Sequence, residues 1–343
     1  MKKFVLLLAC TSLVGANMVA ADNPAEPIFK EGKDYFGIYD DAQPQMLMQQ
    51  PVDTVAVGGA LIKGYDLFMQ ALPLDSVPEV NKDGSPKLDK KTGLQKIKTK
   101  YSKDIVNILV GHHNDYLIVG QMFNETQNYE LAARAWGIYA SLPSAEFLGD
   151  KKPELADSTV AQFRYYEGVM YFQAKDNAKA LEAFYQALDK GYNYQETTDM
   201  IKYLIGISVD KCLQDSAYNE CDEMLARAMQ KCPKEAVFVL FKGLLEETRT
   251  GDIEQAIKYY KSAAELDPKL GVAQYHVGRY YNNKAVNVMN AEENLNLTDE
   301  ELGKLIDPIC LEAKPYLEKA VELEPTNSEA QRMLKWVNDR LNK

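Results

Sequence analysis

Histidine, the most versatile catalytic side chain, occurs only three times in this 343-residue chain. His112 and His113 are adjacent, and neither has a second ligand at the four-residue helical spacing of a zinc-binding helix. They read as a solvated pair at a helix interface, while His276 stands alone. Carboxylates are abundant, but Glu246-Glu247, Glu292-Glu293 and Asp299-Glu300-Glu301 fall on surface positions or at a helix start. There they serve as solvated faces and partners of the helix dipole rather than as an acid/base pair. The chain has no phosphate-cradling glycine loop, no nucleophile elbow and no His-Glu-x-x-His helix. The expectation is therefore a protein that is not an enzyme, with no catalytic residue, no metal and no cofactor.

Cys212, Cys221, Cys232 and Cys310 lie past the first ten residues. Cys221 and Cys232 fall on one helical segment, about 16 Å apart along its axis, too far to bridge. Cys212 and Cys221 flank a helix–helix turn and form a possible disulfide; the alternative makes all four cysteines small apolar fillers. One loop is a local anomaly. Lys82, Lys87, Lys90, Lys91, Lys96, Lys98, Lys100 and Lys103 meet only Asp83, Asp89 and Asp104. On an acidic chain this is either a soluble flexible loop or a dock for an acidic partner or anionic surface. Asp53-Thr54-Val55, Asp75-Ser76-Val77, Asp157-Ser158-Thr159 and Asp215-Ser216-Ala217 resemble the acceptor of one bacterial O-glycosylation system. Helix capping by Asp and Ser explains the same tripeptides.

These residues sit in a chain of ordinary globular composition, 46% hydrophobic and 26% charged. Its net charge of −11 argues against nucleic acid as a partner, because phosphate contacts need clustered cations. The N-terminus reads as an export signal, residues 1–21. Met1-Lys2-Lys3 is the positive region, Phe4 to Val19 the apolar stretch, and Val19-Ala20-Ala21 the cleavage site before Asp22. A rival site at Leu7-Leu8-Ala9-Cys10 would attach a lipid to Cys10, but leaves an apolar core short for translocation. The expected location is the periplasm or an envelope-associated position, with no transmembrane span.

The remainder is organised as a repeat of two amphipathic helices. The first carries a small residue where helices approach, and the second carries small, bulky and small residues at spacings of four and three. Tyr116, Gly120 and Phe123 precede Ala132, Trp136 and Tyr139; Gly168 and Tyr171 precede Ala180, Phe184, Ala187 and Leu188. Gly206 precedes Cys221, Leu225 and Ala228 in a degenerate third unit. Leu240, Gly243 and Leu244 precede Ala256, Tyr260 and Ala263; Val277, Gly278 and Tyr281 precede Ala313, Leu317 and Ala320. Prolines 233, 268 and 325 close three of the units.

This pattern resembles the tetratricopeptide repeat. The resemblance implies an all-α fold, a right-handed α-solenoid of about five helix-turn-helix units. The units form an array over 111–326 with an insert at 284–309, where Thr298 to Glu301 reads as a capping box and Asp307-Pro308 as a fresh helix start. Pro315 should kink or restart that helix. Residues 327–343 form a capping helix with Ala330, Leu334, Val337 and Leu341 on one face. Upstream, 22–56 is expected to be extended or mobile, and 57–110 to hold a lone helix, the lysine-rich loop and the start of a long helix from Tyr101 to Phe123. In such arrays the first helix of each pair lines a concave groove. Carried onto this chain, the register gives Asn114, Leu117, Gln121 and Asn124, then Gln162, Tyr165, Val169 and Phe172. It continues with Phe238, Phe241, Tyr275, His276, Arg279, Asn282 and Asn283. The set is aromatic and amide-rich, suited to a peptide segment, a helix or a sugar. The expected function is a non-catalytic envelope scaffold that binds another envelope protein through a segment in this groove; the alternative is a glycan- or peptidoglycan-binding module.

Overall fold

The computed structural model describes residues 23–48 and 50–342, so the expected export signal over 1–21 and the rival site at Cys10 lie outside the described residues. The fold is all-α apart from one small β-element, and the chain divides into two compact units, Met1–Leu155 and Ala156–Lys343.

The first unit contains α1 (Ala25–Leu47), α2 (Thr54–Leu74), strands β1 (Val77–Pro78) and β2 (Ile97–Lys98), α3 (Ser102–Gly111), α4 (His113–Glu125) and α5 (Tyr129–Ser141). Two short 3-10 turns, Leu142–Ser144 and Glu146–Lys151, follow. The expectation of an extended segment over 22–56 is corrected: α1 spans most of it. Its stripe of Ala25, Phe29, Gly32, Phe36 and Tyr39 recurs at helical intervals and is buried. α2 is therefore not a lone helix but the partner of α1. The two helices exchange glycines and phenylalanines. Phe68 lies over Gly32, where a Cβ would fall 2.7 Å from the ring, and Phe36 lies over Gly64 at 2.8 Å. Gly64, Phe68 and Ala71 repeat the four-and-three spacing of the later units, which makes α1–α2 a further pair of the same design. Asp53 caps α2 by accepting from the amides of Val55 and Ala56. The single helix expected from Tyr101 to Phe123 is broken at His112. That residue turns its ring to Asp115 (2.8 Å) and against Phe36 (centroids 4.9 Å).

The second unit contains α6 (Asp157–Gln173), α7 (Asn177–Asp189), α8 (Gln195–Gln214), α9 (Tyr218–Lys231), α10 (Ala236–Thr250), α11 (Ile253–Leu266), α12 (Gly271–Asn290), α13 (Asp299–Leu323) and α14 (Ser328–Leu341). Consecutive helices pair as expected: α6 with α7, α8 with α9, α10 with α11 and α12 with α13. A bulky side chain from the second helix of a pair drops onto a glycine of the first. Phe184 covers Gly168, Tyr260 covers Gly243 and Leu317 covers Gly278, each with 2.6–2.7 Å left for a Cβ. The third pair is looser, its Gly206 meeting Phe241 of α10 at 3.6 Å instead of its own second helix. No pair hides its apolar face alone, so Leu240, Ala256, Tyr260 and Ala263 of one pair share a core with Ala273 and Val277 of the next.

The insert expected at 284–309 mostly lengthens the flanking helices. α12 continues to Asn290 because Ala285 is buried and Val288 packs beneath it, and α13 starts at Asp299 behind the expected Thr298–Glu301 capping box. Asp307-Pro308 is not a helix start, and α13 does not restart at Pro315; both prolines lie inside an unbroken helix. Its first turns put Gly303, Ile306 and Cys310 into the core, and that packing outweighs the missing amides. α14 closes the unit as expected, burying Ala330, Met333 and Val337.

Candidate functional site

A polar depression lies between α10 and α12. Leu244, Glu247, Thr248 and Gly251 on one side, with His276 and Arg279 on the other, line a depression of about 430 Å³. α12 presents Tyr275, Arg279 and Asn283 one turn apart, as its helical spacing requires. Each of the first two is held by a neighbouring helix. The Arg279 guanidinium donates through Nη2 to both oxygens of Glu247 at 2.6 and 2.5 Å. The Tyr275 hydroxyl donates to Glu329 of α14 at 2.5 Å. Burial and the Glu329 carboxylate push that phenol up to about 12.

Below the ion pair lies a second layer. The Tyr260 hydroxyl donates to Glu247 at 2.6 Å, and its ring stacks on His276 with centroids 4.4 Å apart. Burial, reinforced by the positive Arg279, lowers the His276 pKa to about 4, so its imidazole is neutral at pH 7. His276 Nδ1, Arg279 Nε and Asn282 Oδ1 are buried without a hydrogen-bond partner. Such orphaned groups are uncommon and concentrate strain or function.

The predicted groove residues divide sharply by exposure. Asn114, Gln121 and Asn283 are exposed; Leu117, Asn124, Gln162, Tyr165, Val169, Phe172, Phe241, Tyr275 and Arg279 are half-buried. Phe238 is wholly buried and lines no surface: the register places it at a groove position, but its ring fills the core. Asn282 is also buried and backs the wall, while His276 is buried but for the edge that reaches the depression. Asn114, Leu117, Gln121 and Asn124 belong to the first unit, the rest to the second. In the second unit Tyr165 stacks on Tyr192 (4.9 Å), which contacts the exposed Tyr194 (4.5 Å), and Phe172 meets Tyr203 edge-on. Sequence reasoning misses part of this tyrosine ledge, because Tyr192 and Tyr194 sit in the turn after α7 and not on a first helix.

Several other expectations change. Glu246 and Glu247 are not a solvated face. Glu246 pairs with Lys242 at 3.0 Å and Arg249 at 2.6 Å, and Glu247 holds Tyr260 and Arg279. The signal for Glu247 was its place one turn beyond Gly243, on the side that Tyr260 must cover. His112 and His113 are not a solvated pair either: His113 is buried, stacked on Tyr139 and hydrogen-bonded to its carbonyl at 2.9 Å. Among the described residues, no group of three or more His, Cys, Asp or Glu is placed to hold a metal ion. Cys212 and Cys221 are free thiols, as are Cys232 and Cys310; burial, with Cys212 nearby across the α8–α9 turn, pushes the Cys221 thiol up to about 12.

Residues 242–270, the end of α10, its turn and α11, match the family profile of the tetratricopeptide repeat. No curated protein matches the chain. Among solved structures, a TPR repeats protein from Bacteroides fragilis is 21% identical, with 68% of this chain and 98% of that one covered at a TM-score of 0.40. YrrB, described as a TPR protein with an unusual peptide-binding site, is 16% identical over 69% of this chain and 98% of its own, at 0.34. A tetratricopeptide repeat protein from Parabacteroides merdae is 12% identical over 89% and 99%, at 0.25. The pair α10–α11 thus carries a tetratricopeptide repeat over residues 242–270, and the neighbouring pairs repeat the glycine-and-bulky-residue joint that builds it.

Proposed function

We propose that this protein is a non-catalytic scaffold that holds a peptide segment of another protein against α10 and α12. The observation that carries this reading is the wall formed by Tyr275, Arg279 and Glu247, which edges a depression and is stiffened from behind by Tyr260 and His276. A preorganised row of donors and acceptors at one-turn spacing suits the backbone and polar side chains of a bound segment. The leader-like residues 1–21 support an exported protein and hence an envelope partner.

Selection from a library of displayed random peptides, followed by affinity measurement on the synthetic peptides recovered, tests the proposal. Arg279→Ala and Tyr275→Ala should each weaken binding about tenfold or more, in line with loss of an interface anchor. Recovery of no peptide, or of peptides indifferent to both changes, contradicts it.

The tyrosine ledge favours a second reading, a glycan-binding module, because the half-buried stack of Tyr165 on Tyr192, ending in the exposed Tyr194, offers aromatic surface to a sugar ring. Affinity for cell-wall sacculi that is lost on Tyr165→Ala would support it over the peptide groove.

A further inference from the structure

Residues 76–100 are ordered without a core: not one of them is buried. Two devices hold their shape. The first is a closed ring of backbone hydrogen bonds, in which Glu79 N–H donates to the Lys96 carbonyl (2.8 Å), Lys96 N–H to Lys87 (2.7 Å), and Lys87 N–H to Glu79 (2.9 Å). Three arms meet at this ring. A stem pairs Val77 with Lys98 and Pro78 with Ile97; one arm turns at 81–85 and the other at 89–93. The second device is Asp75. Its carboxylate accepts from the amides of Lys100, Tyr101 and Ser102, the Ser102 hydroxyl and the Asn23 amide, all at 2.7–3.1 Å, and it clamps both ends of the stem to the helical body.

What this frame presents is unpaired positive charge. Seven lysines stand against Glu79, Asp83 and Asp89 on a chain of net charge −11. The acids are already engaged: Glu79 pairs with Lys87, Asp83 accepts from Ser85, and Asp89 accepts from the amides of Lys91 and Thr92. Lys100 pairs with Glu26, whereas Lys82, Lys90, Lys91, Lys96 and Lys98 make no ion pair among the described residues. Large aliphatics are exposed among them. Leu88 (55%) and Leu94 (70%) flank the Lys90-Lys91 turn, and Ile97 (52%) sits on the stem.

We propose that this three-armed lysine element docks the protein onto an anionic lipid surface, its lysines meeting the headgroups and the Leu88–Leu94 turn entering the interface. Charge complementarity selects the occupant. A fluid array of anionic headgroups meets lysines spread over three arms at any spacing, whereas a folded acidic partner would need matching register. Exposed leucines beside the cations add the apolar contact that pure counter-charge lacks. The proposal is independent of the groove on α10 and α12.

Co-sedimentation of the full chain with vesicles of equal parts phosphatidylcholine and phosphatidylglycerol, against pure phosphatidylcholine, is the test. Binding to the anionic vesicles alone, falling as salt rises, is the expected result. Replacing Lys82, Lys90, Lys91 and Lys98 together by glutamate should weaken it more than about tenfold, since each lysine near the surface contributes measurably. Leu94→Ser should weaken it by a smaller factor, with helical circular dichroism unchanged in both variants. Equal binding to neutral vesicles overturns the proposal, as does full binding by the four-lysine variant. Absent vesicle binding alongside capture of soluble polyglutamate overturns it too, in favour of an acidic polypeptide.

Discussion

At the scale of single residues, the fold rests on places where one helix pair leaves no room for a side chain. A Cβ on Gly243 would stand 2.6 Å from the Tyr260 ring, which is buried and tied by its hydroxyl to Glu247. Gly243→Ala should therefore cost about 1–2 kcal/mol, the overpacking penalty less the helix propensity gained. A Cβ on Gly37 of α1 would meet nothing within 4 Å, so Gly37→Ala should stabilise by about 0.5–1 kcal/mol. Urea unfolding of the two variants separates them by sign. His276 gives a pH prediction. Its folded pKa of about 4 lies below the unfolded value of 6.5, so the unfolded chain takes up the proton first. Stability is then lost as pH falls from 6.5 towards 4, by at most about 3 kcal/mol from this group, and the loss is complete below 4. Burial lowers the His113 pKa as well, and this acts in the same direction. His276→Phe should flatten the stability profile in that window; an unchanged slope would show that its burial carries no such coupling. The glycines and their bulky partners were legible in the sequence because each occupies a fixed place in the repeat. The neutral state of His276 was not, because it depends on Tyr260 and Arg279 closing over it from two helices.

At the scale of elements, legibility followed what holds each element in place. Helices that carry the four-and-three triad are plain in the sequence from Ala132 to Ala320. α1 is not, because its stretch is rich in prolines, glutamines and acids, while the stripe Phe29, Gly32, Phe36 and Tyr39 that buries it is a matter of spacing. The prolines of α13 mislead in the opposite way: local propensity argues for a break at 308 and 315, and tertiary packing of Ile306, Cys310 and Ala313 overrides it. The ring joining residues 79, 87 and 96 was not legible in the lysine-rich loop, since it depends on backbone pairing that composition does not encode. Asp75 makes the element-level prediction. A buried carboxylate with this many donors leaves them all unsatisfied when removed, so Asp75→Ala should destabilise by about 2–4 kcal/mol. Trypsin should then cut within 76–100 markedly faster than in the parent chain, and equal cleavage rates would show that the stem does not depend on this clamp.

At the scale of the whole molecule, the protein is two helical units whose elements differ in what they offer a partner. The first carries a basic element built without a core; the second carries a polar wall stiffened by buried tyrosine and histidine. The fold class was legible because a helix pair that cannot bury its own apolar face must repeat. The site was legible only as a register: the sequence picked out Tyr275 and Arg279 on the wall but counted Phe238, which the core consumes. The proposed function puts the partner on first-helix surface of the second unit. Photo-crosslinking in cells, with a benzoylphenylalanine placed at the exposed positions Thr248 and Asn283 and, as the contrast, at the exposed Glu265 of α11, reads this directly. One shared adduct from Thr248 and Asn283 and none from Glu265 is expected; adducts from Glu265 alone, or equally from all three, would place the partner elsewhere.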